Sequence, residues 1–229
     1  MERGKAVLVE KPLTTEYGDA LRLLKKSADL SLPVLAGHIY RFNNSVRKAA
    51  DIIHSGILGQ VSHIKIEWKA LWSSPLPQRD ILFDLGPHPF DITNILIKEW
   101  PASIRSSFHD PRLAGVNEIA YLQAKYSKRK TVHIELSWVF PTKTRSVAVI
   151  GDKNSLQMDC LNQRLTLFTR NRAQTIDVER NNTMKDELLY FANCCDIGRD
   201  PKGLGQIGLE VVRILDRTIR KNLPKTKRS

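Results

Sequence analysis

Three short segments of this sequence hold side chains whose types and spacing suit chemistry. The first is Asp84-Leu-Gly-Pro-His88. A carboxylate and an imidazole four positions apart at a helix start can face one cleft. The carboxylate would orient and charge-stabilise the ring, leaving His88 as a general base. Asp91 follows three residues on, within reach on the same helix. A histidine at a helix start is equally an ordinary structural residue. Metal binding through Asp84, His88 and Asp91 finds no obvious fourth ligand, so no metal is expected. The second segment is Glu10-Lys11-Pro12, directly after the apolar run Ala6-Val7-Leu8-Val9. If that run is a parallel strand, the triplet stands at its carboxyl end, where α/β sheets place their ligands. Lys11 can act as electrophile or proton donor if desolvation lowers its pKa, although a glutamate beside a lysine is also a common surface pair. The third is Tyr40-Arg41-Phe42-Asn43, just after a second apolar run, Pro33 to Gly37. An arginine at a strand end can hold a carboxylate, a phosphate or a helix terminus.

Other patterns carry less. A literal Gly-x-Gly-x-x-Gly is present as Gly203, Gly205 and Gly208. A dinucleotide site needs a strand before that motif and a second strand beyond its helix. Here the loop-like Arg199-Asp200-Pro201-Lys202 precedes it and only 21 residues follow, so it reads as a loop entering the last helix. The three cysteines, Cys160, Cys194 and Cys195, form no disulfide pattern and no Cys-x-x-Cys. Cys194 and Cys195 are expected as buried helix thiols. Asn43-Asn44-Ser45 and Asn181-Asn182-Thr183 read as chance glycosylation matches.

The elements that must position these residues follow from periodicity. Lys5 to Pro12 reads as a short buried strand. Thr14 can cap a helix, with Glu16 in its first turn and Tyr17, Ala20, Leu21, Leu24 and Ala28 on one face. With Pro33 to Gly37 this makes a βαβ unit of parallel type. A second helix spans about Asn44 to Ser55, with Gly56 placed after its end. Beyond Gly59 the period becomes two: Ile64, Ile66, Trp68, Ala70 and Trp72 alternate with polar residues. Ser73 to Arg79 is a loop, and a helix starts near Pro87. Strand patterns dominate from about Ile104 to Val178, most clearly Val132, Ile134, Leu136 and Trp138, and suggest a meander-like antiparallel sheet. Two helices close the chain, the first opened by Thr183 and Asp186 in a capping-box arrangement.

Composition bounds the function. The chain has 229 residues, 41% hydrophobic and 26% charged, as globular proteins do. It shows no membrane-length apolar run and no signal-peptide pattern, so a cytoplasmic, non-membrane protein is expected. The net charge is +12. Half of that excess lies in the basic tail from Arg217. No nucleic-acid-binding motif accompanies it, so nucleic acid is not the expected partner; a solvated tail, an anionic cofactor or a sugar phosphate explains the charge as well.

Taken in order, the motifs resemble one family. Gly4-Lys5-x-Val7-Leu8-Val9-Glu10-Lys11-Pro12-Leu13, Gly37-x-x-x-Arg41-Phe42, Gly56-x-x-Gly59-x-Val61 and Asp84-x-Gly86-x-His88-x-x-Asp91 are similar to the Gfo/Idh/MocA oxidoreductases. Ser137-Trp138 and Gly151 to Asp159 fit as well. The resemblance implies an α/β (α+β) fold: a partial Rossmann βαβ remnant at 1–42, an open, mostly antiparallel sheet with helices on one face at 43–216, and a basic tail at 217–229. It implies NAD(P)-dependent oxidation or reduction of a sugar or cyclitol carbon. His88 would accept the proton, Lys11 would polarise the reacting oxygen and touch the nicotinamide side, and Asp84 would tune the pair. Glu10, Lys11, Pro12 and Arg79 would contact the cofactor, NAD or NADP, and Arg41 and Asp91 the substrate. The sheet often forms a subunit interface in the family, so a homo-oligomer is expected. Two departures stand out. The family's first βαβ units should precede Glu10 by on the order of a hundred residues. Here they do not, so the chain is expected to be incomplete for cofactor binding, with a partner or an upstream segment supplying that half. The alternative is a non-catalytic remnant that binds a sugar-like ligand or a partner subunit. Second, Ile81-Leu82-Phe83 stands where relatives often carry glycines.

Overall fold

The computed structural model describes residues 1, 3–71, 80–113, 115–127 and 129–222. In chain order the elements are β1 (Val7–Val9), α1 (Tyr17–Leu30), β2 (Val34–Ala36), α2 (Asn44–His54), β3 (Val61–Leu71), α3 (Ile81–Leu85), α4 (Pro87–Ile97), β4 (Ser103–His109) and β5 (Ile119–Lys125). There follow β6 (Thr131–Ser137), β7 (Val139–Gly151), β8 (Ser155–Asp159), β9 (Arg164–Phe168), β10 (Ala173–Ile176), α5 (Thr183–Ile197) and α6 (Leu204–Asn222). The chain divides into two compact units, 1–42 with 182–229, and 43–181.

In the first unit β1 and β2 pair in parallel across the α1 crossover, with Val7 opposite Val34. Three residues per strand suffice because β2 is buried on both faces. Val34 and Ala36 pack with Leu13, Ala20, Leu209 and Val212. Leu35, pointing the other way, packs with Phe42, Cys194 and Leu204. The closing helices therefore belong to this unit, whereas the sequence had grouped them with the second domain. An apolar stripe shows that a helix is covered, not by what. The glycine motif explains the fit. A Cβ on Gly205 would stand 2.3 Å from the Val34 carbonyl oxygen, and one on Gly208 2.6 Å from the Ala36 Cβ. These glycines let α6 lie against β2 rather than cradle a phosphate. Arg217, Arg220 and Lys221 lie within helical α6, not in a tail; residues from 223 on lie outside the described set.

Other local expectations shift by a residue or two. Thr14 does not cap α1; its hydroxyl donates to the Glu16 carbonyl at 2.7 Å, and Glu16 is the N-cap. Asn182, not Thr183, caps α5, its side chain accepting from the Lys185 amide at 3.0 Å. Cys194 is buried but Cys195 is exposed. Asn43 is 2% exposed: its side-chain oxygen caps α2 and its amide donates to the Cys160 carbonyl.

The second unit is an eight-stranded sheet in the order β10-β9-β8-β7-β3-β6-β5-β4. Every neighbouring pair is antiparallel except β3 and β6, which run parallel with Ile66 opposite Ile134. The sheet is thus mostly antiparallel but not a simple meander. β3 is inserted at its centre because α3, α4, β4 and β5 intervene before the chain returns as β6. Ile64, Ile66, Trp68, Val132, Ile134, Leu136, Val147 and Val149 face the layer made by α2 and α4, where Val46, Ala49, Phe90, Ile92 and Leu96 are buried. The opposite face carries His63, Lys65, Glu67, Gln123, His133 and Glu135, and among the described residues of this unit no helix packs on it. Trp72, expected to extend β3, and the loop at 73–79 lie outside the described residues.

One tight contact anchors this unit. Gly59, at φ +70°, turns the chain after α2, and the Gln60 amide donates to Asp152 Oδ1 at 2.8 Å. Across from it, a Cβ on Gly151 would stand 2.0 Å from the Leu58 carbonyl oxygen. Gly151→Ala is therefore expected to cost about 1–3 kcal/mol. Urea denaturation would check this, and unchanged stability would contradict it.

Candidate active site

The expected site residues fall into two sets, one in each unit. In the first unit Lys11 follows β1 and Arg41 follows β2, so both stand past the carboxyl ends of the parallel pair. The Gly37 amide donates to the Val9 carbonyl at 2.7 Å and closes this edge. Lys11 is half-buried, Glu10 is exposed, and Pro12 is buried behind a cis peptide bond. Arg41 closes a single 3-10 turn, Ile39–Phe42.

In the second unit Asp84, His88 and Asp91 lie on two successive short helices rather than one. α3 ends at Leu85, and Gly86 caps both its end and the start of α4. Pro87 suits a first helical position, where its missing N–H removes no helix bond. Asp84 and His88 are half-buried, while Asp91 is 1% exposed within α4. Arg79 lies outside the described residues.

The setting of Asp84 and His88 is aromatic. The Trp138 indole N–H donates to Asp84 Oδ2 at 3.1 Å. The Trp68 ring lies 5.9 Å from the His88 ring, centroid to centroid, tilted by 42°. The Arg145 guanidinium stacks over Trp68 at 5.0 Å and donates to the carbonyls of Lys69 and Thr144. α3 is fixed at its start as well. Asp80 accepts from the Leu82 amide at 2.9 Å and from the Asn117 side chain. Burial pushes the Asp80 carboxyl above the usual range, against those two hydrogen bonds. Ile81 and Leu82, each 0% exposed, fill the core.

Sequence reasoning missed Trp68, Arg145 and the Trp138 contact as parts of this site. Trp68 read as a core residue of an alternating strand, which it also is. Arg145 gave no signal, because only the register that sets it opposite Trp68 brings the two together.

The uncovered sheet face is a second polar region. There a depression of about 510 Å³ is lined by Lys65, Arg105, Tyr121, Gln123, His133 and Glu135, among others. Lys69, 6% exposed, pairs with Glu67 at 2.8 Å and Glu135 at 3.6 Å. His63 Nε2 and His133 Nδ1 are 3.4 Å apart. Burial, then the neighbouring His133 and Lys65, lower the His63 pKa below 6.5. A base depressed on folding gives stability that is present above the unfolded value and lost as pH falls through the folded one. Stability is therefore expected to drop as pH falls below 6.5. His63→Gln should flatten that drop in thermal melts, and an equally steep drop in the variant would contradict the assignment.

Among the described residues no three or more histidine, cysteine or carboxylate side chains are placed to hold a metal. Among the same residues no helix is long and apolar enough to cross a membrane.

Comparison with known proteins agrees with this arrangement. Residues 46–157 match the GFO/IDH/MocA C-terminal domain. The 2,7-anhydro-N-acetylneuraminate hydratase of Escherichia coli is 23% identical over 168 residues, covering 68% of this chain and 45% of that protein. Aldose-aldose oxidoreductase from Caulobacter crescentus, solved with glycerol, shares the fold with a TM-score of 0.86 at 19% identity, over 97% of this chain and 72% of that one. An inositol dehydrogenase homolog from Azotobacter vinelandii, solved with NAD+, does so with a TM-score of 0.84 at 18% identity, over 96% and 70%. The chain spans about half the length of the first curated relatives it matches, 49% and 45%. Over residues 46–157 the chain is thus similar to the C-terminal domain of the Gfo/Idh/MocA oxidoreductases, and it shares its fold with these solved structures.

Proposed function

We propose that this chain provides the substrate-facing and nicotinamide-facing part of an NAD(P)-dependent oxidoreductase that acts on a hydroxyl or carbonyl carbon of a sugar or cyclitol. The observation that carries this reading is the placement of Asp84 and His88, half-buried at the junction of α3 and α4 beside Trp68 and Trp138. The residues present fit one end of a dinucleotide. Lys11 stands past the carboxyl end of β1, where parallel sheets receive ligands. The β1–α1 connection, Glu10 to Glu16, contains no glycine, so it offers no cradle for a pyrophosphate. Glu10, Lys11, Pro12 and Arg79 are assigned to the nicotinamide end. When bound, the dinucleotide supplies the hydride acceptor or donor.

The chain's own residues manage the proton. In oxidation, the neutral imidazole of His88 takes the proton of the reacting hydroxyl. Lys11, past the carboxyl end of β1, is assigned to stabilise negative charge at the nicotinamide end. Asp84 favours the imidazolium that results. In reduction the proton returns from His88. Arg41 and Asp91 are assigned to the substrate's polar groups, Asp91 being only 1% exposed. The test is an assay of the full gene product with NAD+ and NADP+ against myo-inositol and a panel of aldoses, followed by NAD(P)H absorbance. Turnover with at least one of them supports the assignment. Absence of turnover across cyclitols, aldoses and nucleotide sugars counts against it.

The glycine-free β1–α1 connection favours a second reading, a non-catalytic chain that binds a sugar-like ligand or a partner subunit. The DNA upstream of Met1 separates the two. An in-frame stretch encoding strand, Gly-x-Gly-x-x-Gly and helix supports the enzyme; a stop codon without a neighbouring gene supports the second reading.

The uncovered polar face of the large sheet suits a second copy of the chain. A dimer or larger assembly is expected by light scattering at micromolar concentration, and a clean monomer would count against it.

A further inference from the structure

We propose that Trp138 is the positioning residue for Asp84, a role that rests on the function proposed above. Trp138 is 0% exposed and is the single residue between β6 and β7. The chain bends there to pass from one side of β3 to the other, since β6 and β7 flank that strand. Its backbone is held as well, the amide donating to the Glu118 carbonyl at 3.0 Å. The indole is therefore placed by the sheet, not by the helix it touches. Its N–H reaches Asp84 Oδ2 at 3.1 Å, across 54 residues of sequence.

An indole N–H donates and never accepts, and it carries no charge. It can fix one carboxylate oxygen without neutralising the group, as a lysine or arginine would. Asp84 thus keeps the negative charge that favours an imidazolium at His88, while its rotamer is set by the sheet. The start of α3 is tied to the neighbouring segment, through Asn117 and Asp80. α3, only five residues long, is so held at both ends. A helix this short has little stability of its own, so these ties decide where the carboxylate sits.

The test has two arms. In the first, the chain is labelled with 15N-tryptophan, giving one indole N–H signal for each of its four tryptophans. Asp84→Asn is expected to move the Trp138 signal and leave those of the other three in place. A Trp138 signal indifferent to Asp84→Asn overturns the proposal. In the second arm, turnover of the full gene product is compared between wild type, Trp138→Phe, Asp84→Asn and the double variant. Trp138→Phe should lower kcat on the order of 10-fold to 100-fold, the scale of a lost hydrogen bond to a charged group, with KM little changed. Adding it to Asp84→Asn should change nothing further, because Trp138 acts through Asp84. A merely structural tryptophan would instead lower the melting temperature and add its loss to that of Asp84→Asn, which overturns the proposal. The proposed function itself fails separately, if Asp84→Asn and His88→Ala both leave turnover intact. The first arm stands whatever the turnover.

Discussion

Replacing His88 by alanine is expected to depress turnover of the full gene product by about 10²–10⁴-fold, the usual cost of losing a general base. The ring is half-buried at the start of α4, packed against Trp68. His63 and His133 lie elsewhere, together on the uncovered face of the sheet. Lys11→Ala should also reduce the rate sharply, by removing a cation past the carboxyl end of β1. Because His88 is only half-buried, the loss should come without a large fall in melting temperature. A variant that unfolds instead would mark His88 as a structural residue.

The second large effect concerns the cofactor. Residues 1–229 by themselves are expected to bind NAD(P) weakly or not at all. Most dinucleotide affinity comes from a pyrophosphate seated on a glycine-rich turn and helix N-terminus, with an acid on the ribose. The first helix of this sequence follows Glu10 to Glu16, without a glycine. The one Gly-x-Gly-x-x-Gly packs α6 onto β2, where its glycines admit the Val34 carbonyl and the Ala36 side chain. Titration calorimetry of the isolated chain with NAD+ and NADP+ checks this, and tight binding would contradict it.

Much of the fold was legible because one-sided burial writes itself into the sequence with a period of two. β6 and β3 show this plainly: Val132, Ile134 and Leu136, and Ile64, Ile66 and Trp68, are all buried. The βαβ start was legible for the same reason, from short apolar runs bracketing an amphipathic helix. Three things were not. The parallel pairing of β3 with β6 depends on which strands meet after a long crossover, and alternation is blind to that. The partner of α5 and α6 was hidden, since a stripe such as Val211, Ile214 and Leu215 fits any apolar surface. The candidate site was half legible as an arrangement of residues. Asp84 and His88 announce themselves by type and spacing, and Lys11 by its place after a strand. Trp138 and Arg145 reach the site only through the sheet register, and no local pattern reports that.

The central claim is that His88 takes the proton of the reacting hydroxyl. A crystal structure of the full gene product with NAD(P) and a sugar or cyclitol substrate tests it most directly. The account predicts the His88 imidazole within hydrogen-bonding reach, about 2.6–3.2 Å, of a substrate hydroxyl. A complex in which the substrate does not meet His88, or in which His88 turns into the helix layer away from it, would contradict the account.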